Sequence, residues 1–258
     1  MKEEGSLTDL EKNILTYLHI ALATTSDLYK LFFYKSGQKP KTRREVMRKK
    51  LEKMKGKGYI NFKRYKTHKA CIVVITEIGA LKLGESVDYL DINSAWNHLP
   101  REGHGTHDLL TGETGRKFYK ENENIAIFYE PFLRSEAALL GKRKRGLHFP
   151  DYRISFMNKD ALTVVKSYNV EIVAGGVTRK DFLGKIRSSH YHLMVITKTG
   201  EMMVFLYNYT MELCRSGRIS YDKAKRLHFT YSADFFAANS RTYRWLTPFD
   251  QYLRMDEF

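Results

Sequence analysis

The feature that most constrains this chain is how unevenly charge is distributed along it. Residues 1–84 carry 19 Lys and Arg against 8 Asp and Glu, whereas residues 85–258 carry 25 against 21. The first stretch is therefore +11 and the second only +4. A single well-mixed surface does not separate charge in this way. The pattern predicts a compact basic unit over 1–84 and a larger, nearly balanced unit over 106–258. Between them a linker over 85–105 holds the breakers Asn97, Pro100 and Gly103, with Gly105 at its end. A chain of 258 residues, 43% of them hydrophobic, is long enough to bury two cores.

The basic stretch reads as helices followed by strands. Leu7, Leu10, Ile14, Leu18 and Ala21 recur at three- and four-residue spacings, an amphipathic helix starting near Ser6 or Thr8. Thr24-Thr25-Ser26 supplies a cap for a second helix holding Leu28, Leu31 and Phe32. After the breakers around Gly37 and Pro40, a third helix runs from Lys41 to about Lys55, with Val46, Met47, Leu51 and Met54 as its apolar stripe. Two β-like runs, Tyr59–Tyr65 and Ala70–Thr76, then a short helix from Thr76 through Leu83, complete the unit. Three helices and a two-stranded ribbon in that order are the order of a winged helix, whose third helix enters the major groove of duplex DNA. The segments Gly58-Tyr59-Ile60 and Ile75-Thr76-Glu77-Ile78-Gly79 resemble the wing of bacterial winged-helix proteins. Arg43, Arg44 and Arg48 suit base edges or bidentate phosphate contacts. Lys41, Lys49, Lys50, Lys63, Arg64, Lys66 and Lys69 suit phosphates, as does the basic loop Lys142, Arg143, Lys144 and Arg145.

The second stretch predicts an α/β unit with a mixed sheet. A helix from Thr106 to Tyr119 precedes strands at Ile125–Tyr129, Leu147–Met157 and Leu162–Val173, then a helix Thr178–Ser189 and a strand Tyr191–Thr197. Phe132–Leu140 reads as a short helix, Met202–Tyr207 and Leu227–Tyr231 as further strands, and Tyr221–Arg226 as a helix. Trp245, Phe249 and Tyr252 read as a packing plug.

Two carboxylates stand out. Asp151 follows Pro150 inside the second strand, and Glu171 sits between Val170 and Ile172 in the third. A carboxylate in so apolar a strand is costly unless paired or metal-bound. Acids on neighbouring strands repel one another unless a cation lies between them, and oxygen-only ligation points to Mg2+ or Mn2+. Such an ion activates water and steadies a phosphoryl group. The pair resembles the PD-(D/E)xK nuclease superfamily, with Pro150-Asp151 as its PD and Glu171 as the second acid. Val173 stands where that superfamily usually carries Lys. Some members move the lysine to the following helix, which implies Lys185, with Lys180 as the weaker choice. The resemblance also implies Glu113, on the first helix of the unit, as an assisting acid and metal ligand.

The whole chain resembles the plasmid replication-relaxation proteins, including the MOB-C class of conjugative relaxases. The features matched are the basic front unit, His107-Asp108-Leu109, the Pro-Asp strand, the Glu strand, and a helix of the form Lys185 to Tyr191. That resemblance implies an α+β chain, a winged helix followed by a restriction-endonuclease-like α/β domain. It implies a cytoplasmic enzyme of plasmid mobilisation that nicks one strand of double-stranded DNA at an origin of transfer or replication. Relaxosome or coupling proteins would be its further partners. The alternative from another class is a non-catalytic replication initiator or transcriptional regulator with a degenerate nuclease fold.

Other chemistries find less support. Cys71 and Cys214 have no metal-ligand spacing and fit a reducing compartment. His98, His104 and His107 are interrupted by glycines, and His190-Tyr191-His192 lacks the third ligand of a histidine-pair relaxase. Ala174-Gly175-Gly176 lacks the Lys-Ser/Thr of a phosphate loop. No apolar run approaches the roughly 20 residues of a membrane span, and the N-terminus carries no secretory signal.

Overall fold

A computed structural model describes residues 6–20, 23–37, 39–64, 71–84, 105–122, 124–130, 133–134, 137, 148–158, 163–240, 242–249 and 251–254. Lys66, Lys69 and Lys142 to Arg145 lie outside the described residues, as do most of Phe132–Leu140 and the side chains of Lys63 and Arg64. The chain is mixed α and β and divides into two compact units, 1–116 and 117–258. The division falls inside the helix Gly105–Glu121 rather than in the 85–105 stretch. Among the described residues no helix is long and apolar enough to cross a membrane.

In the first unit, helix α1 (Asp9–Ile20) opens on a reciprocal cap: Thr8 N donates to Glu11 Oε2 at 2.9 Å and Glu11 N donates to Thr8 Oγ1 at 3.3 Å. Its three- and four-residue spacing buries Ile14, Leu15, Tyr17 and Leu18. Strand β1 (Ala23–Thr24) leads into helix α2 (Thr25–Leu28), again with a reciprocal cap between Thr24 and Asp27. One π-helical turn, Tyr29–Phe33, continues it. Helix α3 (Pro40–Gly56) starts on a proline, whose missing N–H costs nothing at a first helical position. It buries Leu51 and Met54, but Val46 is 45% exposed, so the expected stripe is one residue too wide. Strands β2 (Ile60–Arg64) and β3 (Cys71–Ile75) pair antiparallel with Ile60 opposite Ile75, and β1 adds to the other edge of β3. Helix α4 (Glu77–Gly84) packs against α1. A Cβ at its Gly79 would stand 2.1 Å from Tyr59 O, so only glycine permits that approach.

The second unit follows helix α5 (Gly105–Glu121). Its sheet contains β4 (Ile125–Tyr129), β5 (Tyr152–Met157), β6 (Val164–Val173), β7 (His192–Thr197), β8 (Leu227–Tyr231), β9 (Trp245–Thr247) and β10 (Gln251–Leu253), in the order β10-β9-β8-β7-β6-β5-β4. The β4-β5-β6 neighbours are antiparallel, the β6-β7-β8 neighbours parallel, and the last pairs antiparallel again. Helix α6 (Arg179–Ser188) joins β6 to β7, and α7 (Gly200–Arg215) and α8 (Tyr221–Ala224) join β7 to β8. Helix α9 (Ser232–Ala237) follows β8.

The expected strand at Met202–Tyr207 is instead the start of α7. Thr199 caps it by accepting from Met202 N at 3.3 Å, and Leu206, Tyr209, Thr210 and Leu213 then recur at helical spacing on its buried face. The expected plug is partly right. Trp245 is fully buried and Phe249 lies 4.4 Å from Tyr221, ring to ring, but Tyr252 is exposed. One face of the sheet packs Val173, Leu193, Val195 and Phe229 under Phe182, Leu183 and Ile186 of α6 and the apolar face of α7.

Candidate functional site

Register places the two singled-out acids. Tyr152 stands opposite Val170 in the β5–β6 ladder, so continuing by one residue puts Asp151 opposite Glu171. Directly opposed residues share a face. The face is the one under α6, because Asn169, Glu171 and Val173 pair with Leu193, Val195 and Thr197 of the parallel neighbour. The β4–β5 ladder extends the row. Tyr129 pairs with Tyr152, and Glu130 N donates to Asp151 O at 3.0 Å, so Glu130, Asp151 and Glu171 lie side by side across three strands.

Each carboxylate is engaged differently. Asp151 is 7% exposed, and its Oδ2 accepts from Ile172 N at 2.7 Å. A side chain here takes over from the backbone, which is why β5 begins at Tyr152 and not at Leu147 as expected. Glu171 is 1% exposed; its Oε1 accepts from the ammonium of Lys185, while its Oε2 has no hydrogen-bond partner among the described residues. Glu130 accepts from Arg134 one helical turn ahead. Lys185 stands on the face of α6 that turns toward the sheet, at the height set by buried Phe182, Leu183 and Ile186. Burial pulls its pKa down, opposed by the carboxylates of Asp151 and Glu130. Lys180, the weaker lysine candidate, is exposed.

Glu113 belongs to the first unit. Partial desolvation and the Asp27 carboxylate raise its pKa, while Arg116 and Lys30 draw it down. The site of Asp151, Glu171 and Lys185 is built by the second unit alone. Among the described residues no three His, Cys, Asp or Glu side chains group closely enough to hold a metal ion. The carboxylate row is thus a row by register, with its side chains turned to separate partners.

Three residues escape the sequence reading. Glu130 joins the row only through the β4–β5 register, which no local pattern specifies. Asn169 was legible, since it lies two residues before Glu171 on the same strand and therefore on the same face. His148 packs on the helix: a Cβ at Gly184 would stand 2.4 Å from its Nε2, and its carbonyl accepts from Ser188 Oγ at 3.0 Å. His192 shares a 2.8 Å hydrogen bond with His228, their rings stacked. Burial drives the pKa of His228 down to about 2, so that ring is neutral at physiological pH. His190 is exposed and lies outside the pair.

On the first unit, Lys41, Arg44, Arg48 and Lys49 are exposed on α3 and Arg43 is half-buried. Arg44 lies over the Tyr29 ring at 5.4 Å, and Arg44 and Arg48 line a groove of about 830 Å³ with Thr25, Ser26, Tyr29 and Phe62. Lys49 pairs with Glu45 at 3.5 Å. Lys50 turns inward, its ammonium 3.3 Å from Glu11 and 3.2 Å from Thr8 Oγ1, and so serves the α1–α3 contact.

Comparison with protein-family models, curated proteins and solved structures finds no match.

Proposed function

We propose that the protein is a metal-dependent DNA endonuclease of a bacterial mobile element, which nicks one strand of a double-stranded origin region. In this reading the first unit is a winged-helix reader, with α3 in the major groove, and the second is a PD-(D/E)xK-type nuclease. The observation that carries it is the juxtaposition of Asp151 and Glu171 on one face of adjacent strands, with Lys185 reaching Glu171 from the next helix. The helix–three strands–helix–strand order of α5 to β7 supports it, as does the exposed Arg44 and Arg48 beside an open groove.

Asp151 and Glu171 would hold Mg2+ or Mn2+, which supplies an activated water and neutralises charge on the phosphoryl oxygens. Lys185 donates to the phosphoryl oxygen that gains charge as water oxygen bonds to phosphorus. The bond to the leaving oxygen breaks, and that oxygen takes up the proton. Lys185 would supply the cation that Val173 cannot, and its bond to Glu171 supports that role. Glu113 is retained as an assisting acid only through family resemblance.

The test is conversion of supercoiled origin DNA to open circles with Mg2+ or Mn2+. Asp151→Asn and Glu171→Gln should abolish nicking while the variants still fold at the assay temperature and still bind DNA; nicking at the wild-type rate in both overturns the assignment. The second reading, a DNA-binding initiator or regulator without catalysis, is favoured by one observation: each acid already has a protein partner. It predicts retarded DNA and no open circles from the wild type.

A further inference from the structure

Residues 85–258 are nearly balanced in charge, but the small excess is concentrated. Residues 213–226 hold Arg215, Arg218, Lys223, Lys225 and Arg226 against the single acid Asp222, a net of +4. The rest of the 85–258 stretch balances, 20 cations against 20 acids.

The fold gathers these cations at the end where the parallel strands β7 and β8 begin. Arg215 ends α7, Arg218 lies in the turn after it, Lys223 is on α8, and Lys225 and Arg226 lead into β8. At the start of β7, Leu193 N donates to Arg226 O at 2.8 Å. The end of α6 joins the same place: Arg187 Nη2 donates to Arg218 O at 3.4 Å, and the Lys223 ammonium donates to Ser189 O. Arg187, Arg215, Arg218, Lys225 and Arg226 are exposed, and Lys223 is half-buried. Among the described residues no carboxylate pairs with any of the six. Glu212, the nearest acid before Arg215 on α7, turns instead to Arg179 at 3.6 Å. Burial, with Arg226 adding to it, lowers the pKa of Lys223, so the cations feel one another. An ordinary solvated face intersperses both signs. Six cations around one acid instead set up a field that attracts a polyanion.

The patch continues into the carboxylate site. Ser189, whose carbonyl Lys223 holds, lines the small cavity beside Glu171 and Lys185. Glu171 pairs with Val195 and β7 starts at His192, so roughly 10 Å of strand separates Glu171 from the cationic end. That is well within one turn of duplex, about 34 Å. Guanidinium forks suit phosphate oxygens, and four of the six cations are arginines.

We propose that this face of the second unit, with Arg187, Arg215, Arg218, Lys225 and Arg226, binds the phosphate backbone of DNA flanking the carboxylate site. The choice of DNA as the polyanion rests on the endonuclease reading.

The test is binding of the full chain to a linear duplex of random sequence, followed by fluorescence anisotropy over a range of salt, because phosphate contacts are indifferent to sequence. Changing Arg215, Arg218, Lys225 and Arg226 together to Ala should reduce the slope of log affinity against log salt by about 3, each phosphate contact contributing about 0.9. Trp245 fluorescence melts check folding. Should the fourfold variant not fold, Arg215→Ala with Arg218→Ala, and Lys225→Ala with Arg226→Ala, should each lower the slope by about 2. A wild-type slope in these variants, with Arg44→Ala and Arg48→Ala still lowering it, overturns the proposal and leaves the endonuclease reading standing. If the slope falls as expected while Asp151→Asn and Glu171→Gln nick as the wild type does, the backbone face stands and the nuclease site falls. If the variants bind duplex normally but no longer sediment with phosphatidylserine vesicles that retain the wild type, the face belongs to an anionic lipid surface and the proposal is overturned.

Discussion

Replacing Glu171 by Gln and Lys185 by Met, singly and together, separates a working ion pair from two polar residues that happen to be adjacent. Glu171 is 2% exposed at its side chain and Lys185 25%, so water screens the pair from one side only. Two unit charges about 4 Å apart attract by about 4 kcal/mol at an effective dielectric near 20. The exposed quarter of Lys185 lowers this to about 2–3 kcal/mol. Glu171→Gln leaves an ammonium facing a neutral amide under α6, and Lys185→Met leaves a carboxylate that must take up a proton or stay unpaired. Each single change should therefore cost about 3 kcal/mol. The double change removes both charges, so it should cost about as much as one single change rather than the sum of two, because a thioether fills the lysine path. The expected coupling is about 2–3 kcal/mol. Urea unfolding at neutral pH with a chelator present, followed through buried Trp245 in the same unit, reads it. Costs that simply add, to within about 0.5 kcal/mol, would refute the pairing.

Two further outcomes concern the first unit. Burial raises the Glu11 carboxyl, but bonds from Thr8, Lys57 and Lys50 overcome this and hold its pKa at about 2, against 4.5 unpaired. The stability it adds is present above pH 4.5 and is lost as pH falls toward 2. Circular dichroism should show the first unit losing about 2 kcal/mol over that window, and Glu11→Gln should flatten the dependence. An unchanged acid profile in the variant would remove Glu11 from the account. For nucleic acid, Arg44→Ala with Arg48→Ala should weaken duplex binding and reduce the slope of log affinity against log salt by about 2. A slope identical to that of the wild type would clear α3 of phosphate contact.

Local signals made much of the fold legible. The strand Ile125–Tyr129 stands on a short run rich in β-branched and aromatic residues, and the Thr24 and Thr178 caps open helices where their hydroxyls can accept a backbone N–H. Met202–Tyr207 misled because a short apolar run has no period of its own, and the next turn of helix, with Leu213, had to be read with it. Strand β1 has two residues and no pattern, so only its pairing with Val73 and Ile72 of β3 defines it. At the site, Asp151 and Glu171 were visible as acids in apolar surroundings. Their lying on neighbouring strands was expected too, but the register that sets Asp151 directly opposite Glu171 depends on pairing rather than composition. Gly184 illustrates the limit most clearly. In sequence it is a weak helix residue, and only the His148 ring beside it explains why no side chain stands there.

The site is inseparable from the core beneath it. Along β6, the face that carries Asn169 and Glu171 also carries Val173, which joins the apolar cluster under α6. Polar and apolar residues thus share one covered face, and the helix must satisfy both. Phe182, Leu183 and Ile186 anchor α6 on the cluster, Thr178 fixes where it starts, and Lys185 then falls above Glu171. The pairing of one buried carboxylate with one helix-borne cation accounts for Oε1 only. Because Glu171 Oε2 and Asn169 Oδ1 have no hydrogen-bond partner among the described residues, the polarity of this row is more than the apolar packing of that face requires. A chain selected for stability alone would fill such a position with another valine, at no loss to the sheet.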